Sequence, residues 1–231
     1  MRGRAFVALT LVAGLASASG AATPGFVEDF ATDNGGFQGG STLVRVTSGG
    51  VGGADDAYLE VSNATENFLG TFSQAAELNG NLPADGVTGY SFWLRDTGGD
   101  DELEIHVGVG IPFSNFWQSL QGFTPPDGAW QQFSVDLSSP AGWVQIIGSG
   151  TFADAIAGST NLLFRHDVEP YAQFPDPAAA DVGLDRIQVL PAPPEVPATS
   201  GSARAVLALL LVGIALLDAR RRLRVTRSSA R

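Results

Sequence analysis

Cysteine is missing from all 231 residues, and so is lysine. The first absence excludes disulfides, thiolate metal sites and a cysteine nucleophile. The second leaves cations scarce in the middle of the chain. Residues 23–200 hold four arginines (Arg45, Arg95, Arg165, Arg186) against twenty-three of the twenty-four acids, a net of about −19. A stretch this acidic cannot grip a phosphate backbone by counterion release, so nucleic acid is excluded as a partner. The two histidines, His106 and His166, have no H-x-H or H-x-x-x-H spacing, which argues against zinc. No serine stands in a G-x-S-x-G elbow, so a nucleophile motif is lacking as well. An exported domain without disulfides must rest on a sizeable core, and the chain is long enough to build one.

The basic residues collect at the ends. Arg2 and Arg4 precede an apolar run over about residues 5–16, and small residues follow, with Ala16-Ser17-Ala18 and Gly20-Ala21-Ala22 as small-x-small cleavage patterns. Residues 1–22 read as a secretory signal peptide. Near the other end, residues 205–217 are about thirteen apolar residues with no polar stripe, roughly 20 Å of helix. That is short against the ~30 Å hydrocarbon core of a bilayer. Arg220, Arg221, Arg222 and Arg224 follow it and would stay on the cytoplasmic side. Residues 191–203, rich in Pro, Ala and Ser, form a stiff linker, and 204–231 an apolar helix with an arginine tail. This order resembles the PEP-CTERM class of bacterial sorting tails, with Pro194-Glu195-Val196-Pro197 at the place of the short motif. The resemblance implies a sorting protease as a partner. It also implies export to the surface or beyond, with the helix inserted in the inner membrane transiently or, if uncut, permanently.

Between the ends, residues 25–190 alternate as strands do. In "ELEIHVGVGI", Leu103, Ile105, Val107, Val109 and Ile111 share one face, with Glu102, Glu104, His106, Gly108 and Gly110 on the other. "AYLEVS", "QQFSVDL", "GYSFWLRD", "NLLFRHDVE" and "GLDRIQVL" behave alike, and Gly/Pro/Asp turns such as "SGGVGGADD" and "TPPDG" separate them. "GTFADAIAG" is the one helical turn. Many short strands with such punctuation predict an all-β jelly-roll β-sandwich. The spaced landmarks from "EDFATDNGGFQGG" through "WQQFSVDLSSPAGWV" to "VGLDRIQV" resemble laminin B (laminin IV) domains and the wider galactose-binding-like jelly rolls, with Phe37 where Trp is frequent. The resemblance implies a non-catalytic extracellular module, structural or adhesive, of a kind whose relatives bind carbohydrate. It also implies one structural calcium, Ca2+, on acids near the first and last strands. Those would be Glu28, Asp29 and Asp185, joined by Asp55 or Asp56.

Two sets of side chains point to chemistry. Trp117, with Phe113 and Phe116 beside it in "IPFSNFWQSLQGF", reads as a loop platform on which a polysaccharide ring could stack. Glu102 and Glu104, two apart on one strand face, have the spacing of a carboxylate acid–base pair. Their stretch resembles the acidic strand of laminarinase-type glycoside hydrolases, with Glu for the middle Asp and His106 for the last acid. The alternative function is therefore a glycoside hydrolase, which requires Glu102 and Glu104 on the floor of an aromatic-lined cleft. An open polar strand face would instead leave a binding or structural module.

Overall fold

The computed structural model describes residues 21–98 and 102–194. The expected signal peptide up to residue 20, the sorting motif and the helix at 204–231 lie outside the described residues. No helix among the described residues is long and apolar enough to cross a membrane.

Fourteen short strands follow one another: β1 (Val27–Glu28), β2 (Phe37–Gln38), β3 (Thr42–Val46), β4 (Tyr58–Ser62), β5 (Asn67–Phe68), β6 (Gly70–Ser73), β7 (Val87–Asp96), β8 (Ile105–Ile111), β9 (Asn115–Ser119), β10 (Gln131–Asp136), β11 (Trp143–Gly148), β12 (Asn161–His166), β13 (Pro177–Ala178) and β14 (Asp181–Pro191). They build the expected all-β sandwich. The first sheet runs β10-β7-β14-β4-β3 with β1 on β14, and the second runs β11-β9-β8-β12-β6-β2. A separate ribbon pairs β13 with β5.

The alternation read from sequence decides which side chains enter the core. Leu103, Ile105, Val107 and Val109 are buried, as are Leu59 and Val61 of β4 and Tyr90, Phe92 and Leu94 of β7. Phe92 of the first sheet meets Phe164 of the second edge-on, with 5.0 Å between ring centres, and Phe37 packs on Phe164 at 6.2 Å. Each such side chain contributes about 1.5–3 kcal/mol on burial. The Tyr90 hydroxyl, fully enclosed, donates to the Leu78 carbonyl at 2.6 Å, and burial pushes its pKa far up. One end of the sandwich is plugged by α1 (Phe152–Ala157). Its start is a capping box: the Thr151 hydroxyl accepts from the Asp154 N–H, and the Asp154 carboxylate accepts from the Thr151 N–H. Phe152 stacks on Trp143, 5.2 Å between centres, inside the sandwich. The last strand carries on through Pro191, one residue into the expected linker.

Candidate functional site

The outward face of the second sheet holds the buried polar side chains Gln118, His106 and Arg165. Directly opposed residues of antiparallel strands share a face. The pairings Val144↔Gln118, Gly108↔Gln118, Leu163↔Gly108, Leu163↔Phe72 and Gln38↔Phe72 therefore draw one row across all six strands. A second row contains His106, Arg165 and Gly70. Gly108 is required where it stands. A Cβ there would lie 2.6 Å from Phe116 Cε1 and 3.0 Å from Leu163 Cδ2, so the bare backbone lets both side chains lie over the sheet.

A strap, residues 167–176, crosses the second row and is fastened by one arginine. Arg165 Nε donates to Gln118 Oε1, Nη1 to the Gln173 carbonyl at 2.9 Å, and Nη2 to both the Ala172 carbonyl at 2.6 Å and the Asp167 carboxylate. Gln118 Nε2 also donates to Asp167 Oδ2, at 2.9 Å. The Arg165–Asp167 pair is buried, with side-chain exposures of 3% and 2%. Burial pushes the Arg165 pKa down, and Asp167 opposes the shift. Giving each of the three guanidinium nitrogens a partner in this way is what makes an interior charge tolerable. The Tyr171 hydroxyl donates to the Leu120 carbonyl at 3.2 Å, and its ring meets His106 edge-on at 5.0 Å. Its phenol is pushed up by burial, and further by Glu104, Glu169 and Asp167. Val168 N–H closes the strap onto Asp176 at 2.9 Å.

The surface of the strap exposes Val168, Pro170 and Phe174 together with Glu169 and Gln173. Seven large hydrophobic side chains are exposed among the described residues, and four of them gather here: Phe174, Phe68, Val168 and Leu120. Phe174 stacks on Phe68 with 5.8 Å between centres and 17° between planes, and the rings are 65% and 44% exposed. At the other end of β6, about 20 Å along the sheet from Phe68, Gln38 Nε2 donates to Gln74 Oε1 at 3.0 Å, in the open part of the face.

The sequence-derived candidates fall elsewhere or change role. Trp117 is on strand β9, not a loop. It opposes Val109 and points into the sandwich, half-buried against Phe152 at 5.6 Å, with its Nε1–H donated to Asn115. Phe116 faces the other way and is buried, while Phe113 stands alone at the hairpin tip, 82% exposed. The three do not form a platform, because adjacent strand residues point to opposite faces.

Glu104 and His106 are brought together, with Glu104 Oε1 3.2 Å from His106 Nε2. The ring is out of line for a hydrogen bond there, and its Nδ1 contacts the Ser119 carbonyl at 2.8 Å. His106 is wholly buried under the strap, where alternation alone predicts a solvated side chain. Glu102 precedes β8 and is exposed. No aromatic-lined cleft with two carboxylates on its floor results.

The acids assigned to calcium are separated. Glu28 accepts from the Phe30 N–H at 2.9 Å, and Asp29 from the Ala31 N–H at 3.1 Å. Asp185 is enclosed by the Gly-rich turn, Oδ2 accepting from Val51 N–H at 2.8 Å and Oδ1 from Arg186 N–H at 2.7 Å. Burial raises the Glu28 pKa, and Asp33, Asp29 and Glu77 add to it. Burial takes Asp185 up to about 6, with Asp56 as the neighbouring acid. Of the expected set, only Asp56 joins Asp185. No group of three His, Asp or Glu side chains placed to hold a metal ion is found among the described residues.

Sequence reasoning missed Phe68, Phe174, Gln118, Arg165 and Asp167. Arg165 and Asp167, two apart at the end of an alternating run, were the visible signal. Gln118 is 47 residues from Arg165 and gave none.

No protein-family model matches the chain, and no curated protein resembles it in sequence. Solved structures of similar strand layout exist. One is a family 11 carbohydrate-binding module from Clostridium thermocellum in complex with a β-1,3-1,4-mixed-linked tetrasaccharide (16% identity, 74% of this chain and 98% of that chain, TM-score 0.48). Another is the CBM22-1 xylan-binding domain from Paenibacillus barcinonensis (15% identity, 75% and 100%, TM-score 0.46).

Proposed function

We propose that the chain is a non-catalytic, exported polysaccharide-binding module whose contact surface is the strap and the open part of the second sheet's outward face. What carries the reading is the exposed, stacked Phe68–Phe174 pair at the rim of a face that bears the Gln38–Gln74 amides. Flat apolar rings take the apolar face of a pyranose, and amides take its hydroxyls. The strap offers no free cation, since Arg165 is buried beneath it, and it carries Glu169 and Asp176 with Glu104 nearby. A neutral glycan therefore fits better than an anionic one. The hydrolase alternative is not favoured, because Glu104 is turned to His106 and Glu102, its expected partner, lies exposed before β8. In this reading residues 1–22 export the chain, and the tail at 204–231 delivers it to the cell surface through a sorting protease and the membrane, where it serves an adhesive or matrix role.

The test is a glycan array of neutral and acidic polysaccharides probed with the full chain and with the Phe68→Ala/Phe174→Ala variant, with and without chelator. The reading expects binding to a neutral polysaccharide that the double variant loses and the chelator leaves unchanged. Equal binding by wild type and double variant would remove the strap face from the account.

A further inference from the structure

A second concavity, bounded by Ser119 and Gln121 on either side of the strap-contacting Leu120, lies where edge strand β10 of the first sheet and strands β9 and β11 of the second part from one another. It encloses a volume of about 460 Å³. That falls within the roughly 300–1,000 Å³ of small-molecule sites. Its floor is apolar, formed by Trp143 and Val135, and its walls carry Thr88, Gln121, Ser134 and Ser139. Trp143 is held rigidly, with Phe152 stacked behind it and its Nε1–H donated to the Asp136 carbonyl at 2.9 Å.

The polar groups retain hydrogen-bonding capacity. The Gln121 carboxamide and the Ser134 hydroxyl make no side-chain hydrogen bond among the described residues. Ser139 Oγ accepts from Ala141 N–H at 3.3 Å, which leaves its own O–H to donate. Thr88 Oγ1 donates toward the Leu190 and Pro191 carbonyls and keeps its lone pairs. The lining contains no arginine or histidine, and its one ionisable group is Asp136, whose carboxylate already accepts from the Ser138 N–H and hydroxyl. Nothing there would hold a phosphate, sulfate or uronate. An apolar floor under neutral donors and acceptors matches a small, uncharged polyol.

We propose that this groove is a separate ligand site that takes one or two residues of a neutral sugar, independently of the strap face. The affinity expected for so small a ligand is millimolar.

The experiment follows the indole resonances of the full chain labelled with 5-fluorotryptophan by ¹⁹F NMR. Glucose, galactose, mannose, xylose, N-acetylglucosamine, cellobiose and maltose are titrated to about 100 mM, well past the millimolar range. Glucosamine and galacturonate serve as charged comparators. Substituting Trp93, Trp117 and Trp130 singly by Phe assigns those lines and leaves Trp143 by elimination. The proposal expects at least one neutral sugar to shift the Trp143 line saturably while the Trp93 and Trp130 lines stay. Ala141→Trp, at an exposed position on the groove wall, should weaken that response at least tenfold. Retention on the strap-face polysaccharide should remain, so the two sites fail separately. Gln121→Ala, which keeps the fold by removing only an exposed amide, should weaken the response about threefold. A Trp143 line unmoved by every sugar, equal or tighter binding of either charged sugar, or a response untouched by both variants would overturn the proposal.

Discussion

Arg95 on the first sheet and Arg165 on the second are held by different means. Arg95 of β7 lies between aromatic rings, 4.8 Å from the centre of Tyr58 and 4.7 Å from that of Trp130. It shares the Gly49 carbonyl with the Trp130 indole N–H, and no carboxylate pairs with it among the described residues. Arg165 of β12 is held by a carboxylate, an amide and two carbonyls, and three of those four groups belong to the strap. The first arrangement is a local clamp that ties down a Gly-rich turn with π-faces. The second is a roof fastened by a charge. The roofed face is the one with exposed aromatics, which is why the strap face, and not the Arg95 face, is assigned to the ligand.

The largest expected difference lies in the two fasteners. Arg165→Met leaves Asp167 buried without its cation and should cost about 3–5 kcal/mol in a denaturant titration. Arg95→Met loses cation–π contacts and should cost about 0.5–2 kcal/mol. Equal losses would erase the distinction. A second contrast is in pH. On the first sheet Asp185 has a folded pKa of about 6, above the unfolded value of 3.8. The folded state therefore binds the proton more tightly. Its ionisation disfavours the fold above pH ~6, and that penalty is relieved as pH falls through 6 toward 4. Asp185→Asn loses one of the two backbone N–H bonds at every pH, but its stability relative to wild type should rise by a few kcal/mol from pH 4 to pH 8. A pH-independent difference between the two would remove the burial argument at that site. Smaller still, Phe174→Ala should weaken polysaccharide retention about two- to tenfold in affinity electrophoresis, with the melting temperature nearly unchanged. Trp117→Phe, on the inward side of the same sheet, should leave retention unaltered while lowering the melting temperature. Loss of retention there would restore the platform expected from sequence.

The sandwich was legible because period-two alternation is enforced by burial. The β8 run named Leu103, Ile105, Val107 and Val109 of the core, with Ile111 only half-buried, and "GTFADAIAG" read as a helical turn and is one. Trp117 was not legible. In "NFWQS" two aromatics are adjacent, so alternation cannot tell which of Phe116 and Trp117 faces the core, and only the pairing with Val109 decides it. The acids expected to share a calcium lie apart for a related reason. Position in the fold did bring the first and last strands together, with Glu28 opposite Ile187. A register shift after Asp185, with Arg186 at φ 45°, sends that side chain to the Gly-rich turn instead. The strap reads as an ordinary loop. Its meaning comes from Gln118 and Gly108, which no local pattern ties to Arg165.

Hydrogen exchange of the full chain, with and without the polysaccharide selected on the array, compares the two faces in one measurement. The account predicts added protection in residues 167–176 and in β6 and β12, and none at residues 49–58 or around Trp130. Protection at the Arg95 clamp with an unchanged strap would contradict it.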